Sequence, residues 1–288
     1  MGKKYIRYSH NHRGFQAFII VYLVFCTLFS LLSLFITILN ACKTNANITY
    51  NGIFGLLEGN VFQIIADNFT LAWGKISTAF WMSIIFSLVG AFFNCAIGAI
   101  LAYIFTYKEF PFKRFIFTLY ISVMLLPSIM GMPILVPFMQ RVLKWDNTIY
   151  GYLLPIIAGG QVGALFLFKT FFGQQPLSIY ESAKVEGSND VHMFLKITIP
   201  LALPIILYHF IGSFASIYND YLWASLIMAG GDGGTLLMPL LQSLSTTFKT
   251  EQGAMYMLYV ISSFPLIITT AISMRYFSSG DFASGMKL

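Results

Sequence analysis

Residues able to do chemistry are few and scattered in this chain. His10, His12, His192 and His209 sit at no metal-ligand spacing from cysteine or acidic residues, so no metal site is expected. Gly74-Lys75 is followed by Ile76 and lacks the upstream glycine of a phosphate loop. Local context suggests no Ser/His/Asp set, and Cys26, Cys42 and Cys95 show no paired spacing. No catalytic residue is expected, so uphill work would need ATP hydrolysed on another chain or an ion gradient. Two stretches remain. Asp220, beside Asn219 and preceded by Tyr218, is with His209 the ionisable group singled out inside the apolar runs. A charge at that depth costs at least a few kcal/mol and usually faces a cavity or a partner.

The other stretch is the polar, charged insert 181–200 between two long apolar segments. Pro176 suits the first turn of a helix over 177–186, and Gly187 permits the sharp turn that ends it. Ser188 is a plausible N-cap for a second helix, with Asp190 well placed in its first turn. Val191, Phe194, Leu195 and Thr198 recur at i, i+3, i+4 and i+7 as one apolar stripe, and Pro200 opens the next segment. Two short helices with an exposed apolar edge would fit a groove on a partner. An amphipathic helix lying on the inner leaflet is the other reading.

These stretches are positioned by apolar elements. The chain has 288 residues, 57% hydrophobic and 10% charged, against roughly 25% charged in soluble domains. It reads as an all-α, polytopic membrane protein. About six spans are expected at 15–40, 78–106, 115–136, 149–172, 201–229 and 254–277, each long enough for a hydrocarbon core of about 30 Å. Pro127, Pro133 and Pro137 mark the third span as kinked or broken. The first apolar run is too long for a secretory signal and is read as an uncleaved span. With the N-terminus inside, Lys3, Lys4, Arg7, Arg13, Lys108, Lys113, Arg114, Lys169, Lys184, Lys196, Arg275 and Lys287 are inner. Lys43, Lys75, Arg141, Lys144 and Lys249 are outer. Twelve against five, together the 17 basic residues, obey the positive-inside rule and put both termini in the cytoplasm. The net charge of +6 therefore reflects topology, not nucleic-acid binding. The outer segment 41–77 holds Asn47-Ile48-Thr49 and Asn68-Phe69-Thr70, glycosylation-like triplets common by chance. The outer segment 230–253, with Gly230, Gly231, Gly233 and Gly234, reads as a flexible loop. Gly159 and Gly163 form a GxxxG expected to let two helices pack closely.

Glu181-Ser182-Ala183, with Gly187 six residues after the glutamate and Phe194 and Pro200 beyond, resembles the "EAA" coupling motif of ABC-importer permeases. Ser182 and Glu186 are mild departures from it. Ala102-Tyr103, Leu126-Pro127 with Pro133, and the 168–176 run are also similar to that family. Tyr218-Asn219-Asp220-Tyr221-Leu222-Trp223 resembles the Trp-Asn-Asp/Glu-Phe-Leu-Trp segment of its sugar-importer branch. The tail (Arg275-Tyr276-Phe277, Gly280, Ala283, Lys287) resembles the ending of the smaller maltose-type subunit. The resemblance covers about residues 65–288.

It implies a type I importer permease fold in a bacterial cell membrane, with a cytoplasmic N-terminus (1–14), a first span and outer segment (15–77), a core permease domain (78–277) containing the coupling loop 173–200, and a cytoplasmic tail (278–288). It also implies a second homologous permease subunit, two cytoplasmic subunits that hold ATP and Mg, an extracellular solute-binding protein and a sugar or oligosaccharide cargo. No cofactor is implied in this chain. Glu181 and Ala183 become candidates for the docking surface, Gly187 for its turn, and Arg275 and Lys287 for tail anchors at the ATPase. Tyr218, Asn219 and Asp220 either line the sugar pathway or form a polar brace and an interfacial belt. A permease for another solute, such as a glycerol phosphodiester or polyol, is an alternative. An ion-coupled secondary transporter would call for several buried ionisable residues and often an internal repeat. A membrane assembly factor would need no polar pathway.

Overall fold

The computed structural model describes residues 13–229 and 235–278. Among them the regular elements are helical: α1 Arg13–Ala41, α2 Asn45–Asn51, α3 Val61–Tyr107, α4 Lys113–Ser122, α5 Met132–Pro137, α6 Ile149–Phe172, α7 Leu177–Val185, α8 Asp190–Met193, α9 Ile199–Leu201, α10 Leu203–Tyr218, α11 Leu222–Ile227, α12 Leu237–Thr247 and α13 Gln252–Ser278. Helices are what an apolar solvent leaves open to such a chain, because they satisfy every backbone group internally. Four of them are long and apolar enough to cross a membrane. Two bent pairs, Lys113–Leu125 with Ser128–Leu143 and Asp190–Leu201 with Leu203–Tyr218, bring the number to six among the described residues where each pair is counted as one span. The first pair turns by 91° at Leu126-Pro127, where proline removes an N–H and restricts the residue before it. The third span is thus broken, as its prolines imply.

Three boundaries differ from the expected ones. The outer segment 41–77 is not irregular throughout: it contains α2 and the first turns of α3. At 47 residues α3 is about 70 Å long, more than twice the hydrocarbon thickness. The expected span 201–229 is interrupted after Tyr218 and resumes as the short α11. The segment 230–253 contains α12, while Gly230, Gly231, Gly233 and Gly234 lie outside the described residues.

The chain forms two compact units. One holds the described residues up to Trp73 with Thr247–Ile261, the other Gly74–Thr246 and the chain from Ser262. In the first unit α1 exposes apolar side chains around its circumference. The connection after it is closed by amide and ammonium groups. Asn68 Nδ2 donates to Ala41 O and Lys43 O at 2.9 and 3.0 Å, Lys43 Nζ to Ile53 O at 3.0 Å, and Asn47 Nδ2 to Leu56 O at 3.1 Å. Asn47 and Asn68 are buried and their amide nitrogens occupied, which leaves neither triplet presented for a glycan.

The second unit has two apolar clusters. One joins Phe86 of α3 to Tyr152 and Leu153 of α6, Ile217 of α10 and Trp223 of α11. The other joins Ala99 to Phe105 on α3, Ala164 to Phe172 on α6, Tyr180 and Ala183 of α7, and Met193. The close approach of α3 to α6 depends on Gly98, where an added Cβ would run into Ala164, and on Gly160, where it would strike Asn94. The GxxxG pair is not that seam. A Cβ at Gly159 meets nothing within 4 Å, and one at Gly163 makes only an ordinary 3.8 Å contact with His209.

Candidate functional site

The polar insert folds as two short helices between α6 and α10. Pro176 is the N-cap of α7. The helix closes with Gly187 N–H donating to Lys184 O at 3.1 Å and Ser188 N–H to Ala183 O at 3.0 Å, the Schellman pairing. Gly187 has φ +84°. A Cβ there would meet nothing within 4 Å, so glycine is required by the backbone conformation and not by space. Asn189, rather than Ser188, caps α8, its Oδ1 accepting the His192 N–H at 2.8 Å. Asp190 occupies the first turn, where the helix dipole favours an acid, and pairs with Lys108 at 2.5 Å. Both partners are about half exposed, so that pair alone contributes little.

The stripe expected over Val191, Phe194, Leu195 and Thr198 is not one face. The chain over Phe194–Thr198 takes a wider π-type turn, which rotates the later residues. Thr198 turns fully inward and Val191 and Leu195 turn out. The exposed apolar edge consists of Leu177, Val185, Val191 and Leu195.

Beneath the loop lies a polar clamp. Tyr107 Oη, at the end of α3, donates toward Phe172 O at 2.9 Å and Gln175 Oε1 at 3.1 Å. Tyr180 Oη donates to the same Gln175 oxygen and lies 2.9 Å from Thr198 Oγ1. Thr198 Oγ1 reaches Met193 O at 3.2 Å. The Tyr107 and Tyr180 rings meet at 4.4 Å between centroids, and Tyr103 packs on Phe194 at 5.3 Å. One network therefore ties α7, the π turn and the end of α6 to the end of α3. Gln175 Nε2 is buried without a partner.

Between the two apolar clusters is a cavity of about 780 Å³. Asn94, Gly159–Gly160, Tyr208–His209 and Ile211–Ser213 line it from the middles of α3, α6 and α10, joined by Ser216, Asp220 and Trp223. Its walls are mostly apolar with polar groups interspersed. Asn94 Nδ2 donates to Ser213 Oγ at 2.9 Å, while Asn94 Oδ1 and His209 Nε2 have no partner. Unpaired buried polar atoms are uncommon and call for an explanation. Both atoms are buried in the helices that wall the cavity, close to its surface but not exposed to it.

Residues 94–280 match the family of binding-protein-dependent transport system inner membrane components. The chain belongs to this family. The arabinooligosaccharides transport system permease protein of Halalkalibacterium halodurans is 24% identical over 275 residues, 92% of this chain and 93% of that protein. The sn-glycerol-3-phosphate transport system permease protein of Yersinia pestis is 24% identical over 278 residues, 94% and 97%. A crystal structure of a bacterial ABC transporter involved in the import of the acidic polysaccharide alginate shares the fold, with a TM-score of 0.74 at 20% identity over 94% of this chain and 99% of that one. The all-helical, multi-pass importer-permease fold expected from the coupling-motif resemblance is the fold present.

Within this family member the motif residues separate. Glu181 is exposed on α7, whereas Ala183 is 8% exposed and packs into the apolar cluster, where it holds α7 down. The segment Tyr218-Asn219-Asp220 also divides. Tyr218 is 1% exposed, with its hydroxyl donating to Ser262 O at 2.9 Å. Asn219 turns its amide back to Ala215 O and does not line the cavity. Asp220 does line it, yet its two oxygens accept the Trp223 and Ala224 N–H groups at 3.2 Å and cap α11. It is a brace that borders the cavity. Arg275's side chain and Lys287 lie outside the described residues. Sequence reasoning missed Asn94 and Ser213, ordinary polar residues in apolar runs. It also missed the Tyr107–Gln175–Tyr180–Thr198 clamp, whose members are far apart in sequence. His209 had been singled out as ionisable.

Proposed function

We propose that this chain is one of two permease subunits of a bacterial importer that takes up sugars or oligosaccharides, with ATP hydrolysed on separate cytoplasmic chains. The observation that carries the reading is the pair of short helices with an apolar outward edge, on a loop that falls on the side rich in lysine and arginine. Such an edge fits a groove on a soluble partner. Glu181 and the Leu177, Val185, Val191 and Leu195 surface would meet the ATP-binding subunit, which holds ATP and Mg, and Gly187 would fix the angle of the wedge. The positive-inside count puts both termini, the coupling loop 173–200 and the tail 278–288 in the cytoplasm. An external binding protein delivers the solute to the outer segments. Closure of the ATPases then moves the loop and changes the access of the central cavity, whose lining includes the polar residues Asn94, Ser213, His209 and Asp220. This chain breaks no bond and holds no cofactor.

The test is Gly187→Val in the assembled importer. Forcing a β-branched residue toward φ +84° costs at least about 1–2 kcal/mol, so the expected result is membrane insertion at the normal level with uptake of labelled sugar abolished and ATP hydrolysis no longer coupled to it. Normal uptake would sink the coupling role. Uptake of a glycerol phosphodiester rather than a sugar by the unaltered importer would overturn the cargo class alone. A neighbouring reading frame for a second permease and one for a solute-binding protein would support the assembly.

A further inference from the structure

Beyond the coupling loop and the central cavity, the second unit has another hollow, of about 810 Å³, where the end of α3, the start of α4 and the end of α6 come together. Its lining combines Lys113, Arg114 and Lys169 with Phe105, Phe112, Phe115 and Phe117, and the acid among the lining residues is Glu109. Glu109 pairs with Lys113 at 2.8 Å from a largely exposed position. Lys169 sits 4.6 Å from the centroid of the Phe117 ring. Among the described residues no carboxylate lies within ion-pair distance of Lys169 or Arg114.

Three cations around one hollow repel each other, and at the edge of a membrane they are screened less than in open water. A single exposed carboxylate does not balance them. The ring beneath Lys169 holds its ammonium in place without neutralising it. The remaining lining is aromatic, with Phe112 and Phe115 largely exposed. A free inorganic anion would leave that apolar surface in water, whereas an amphiphile would cover both kinds of surface.

We propose that this hollow binds the phosphate headgroup of an anionic phospholipid, with Lys169 and Arg114 on the phosphate and the phenylalanines against the glycerol and upper acyl chain. The hollow lies at the same end of α3 and α6 as the polar insert, the end that the basic residues mark as cytoplasmic, and anionic lipids are attracted to basic pockets between spans on that side.

The experiment uses the whole importer, extracted from vesicles of phosphatidylcholine alone or mixed with phosphatidylglycerol, and counts retained lipids by native mass spectrometry. The unaltered complex should keep phosphatidylglycerol in preference to phosphatidylcholine. Lys169→Gln and Arg114→Gln should each weaken that retention about fivefold, with assembly and phosphatidylcholine retention unchanged. Lys144→Gln, a cation remote from the hollow, should leave it unaltered. Equal retention by the unaltered complex and both variants overturns the proposal. Displacement of the lipid by inorganic phosphate alone at equal concentration would overturn the lipid assignment and identify a phosphate site.

Discussion

A buried phenol that loses its hydrogen-bond partners strands them as well, at roughly 1–3 kcal/mol. Tyr180 has two, Gln175 Oε1 and Thr198 Oγ1. Each keeps a second contact when Tyr180 is shortened: Gln175 with Tyr107, and Thr198 with Met193 O. Tyr180→Phe should therefore leave the ring stack on Tyr107 and the assembly of the complex intact while loosening the link between the coupling loop and the end of α3. The expected outcome is several-fold more ATP hydrolysed per solute imported, with a melting temperature within a few degrees of the unaltered protein. Tyr180→Leu, which also removes the ring, should melt distinctly lower. An unchanged ratio of hydrolysis to uptake in Tyr180→Phe would assign the clamp to folding alone. Glu181, beside it in the motif, is exposed and acts only through what it meets.

At the scale of elements, α3 and α6 approach closely because Gly98 carries no side chain where Ala164 fills the space. Gly98→Val places a Cβ and two methyl groups there, and overpacking of this kind costs about 1–3 kcal/mol. The expected result is a lower melting temperature and a reduced yield of assembled complex, and partial recovery in a Gly98→Val variant that also carries Ala164→Gly. Unaltered melting would show that the helices separate freely. The seam also shows what the sequence conveys. The all-helical, multi-pass class, the break at Pro127 and the Gly187 turn were legible, since each rests on a local property such as apolar length, a missing N–H or a φ that needs glycine. The start of α3 was not legible, because hydropathy reports where lipid ends and a helix continues past it. The inward turn of Thr198 was hidden by the π turn, which shifts the period on which stripe reading depends. The sequence left Tyr218 open between pathway and brace because an aromatic residue beside an acid looks the same in sequence whether it faces a cavity or Ser262.

For the whole molecule, the side on which each exposed group lies decides whether the loop can meet an ATPase at all. Twelve of 17 basic residues fall on one side of the expected topology, and the bias acts through short loops near span ends, where Lys108, Lys113, Arg114, Lys184 and Lys196 lie. Shifting one span would reverse everything after it, so two reporters at opposite ends of the chain's path test the arrangement. Val185 on α7 is 88% exposed and Tyr50 on α2 is 87% exposed, and neither supports a core. In a background with Cys26, Cys42 and Cys95 replaced by serine, Tyr50→Cys should react with a membrane-impermeant maleimide in intact cells. Val185→Cys should react only in inside-out vesicles or after permeabilisation. Adding the ATP-binding subunits to those vesicles should then protect Val185→Cys, because the edge it belongs to would be covered. Labelling of Val185→Cys in intact cells would reverse the topology and remove the coupling loop from the reach of ATP. Labelling from inside without protection would keep the topology and place the docking contact elsewhere on the loop.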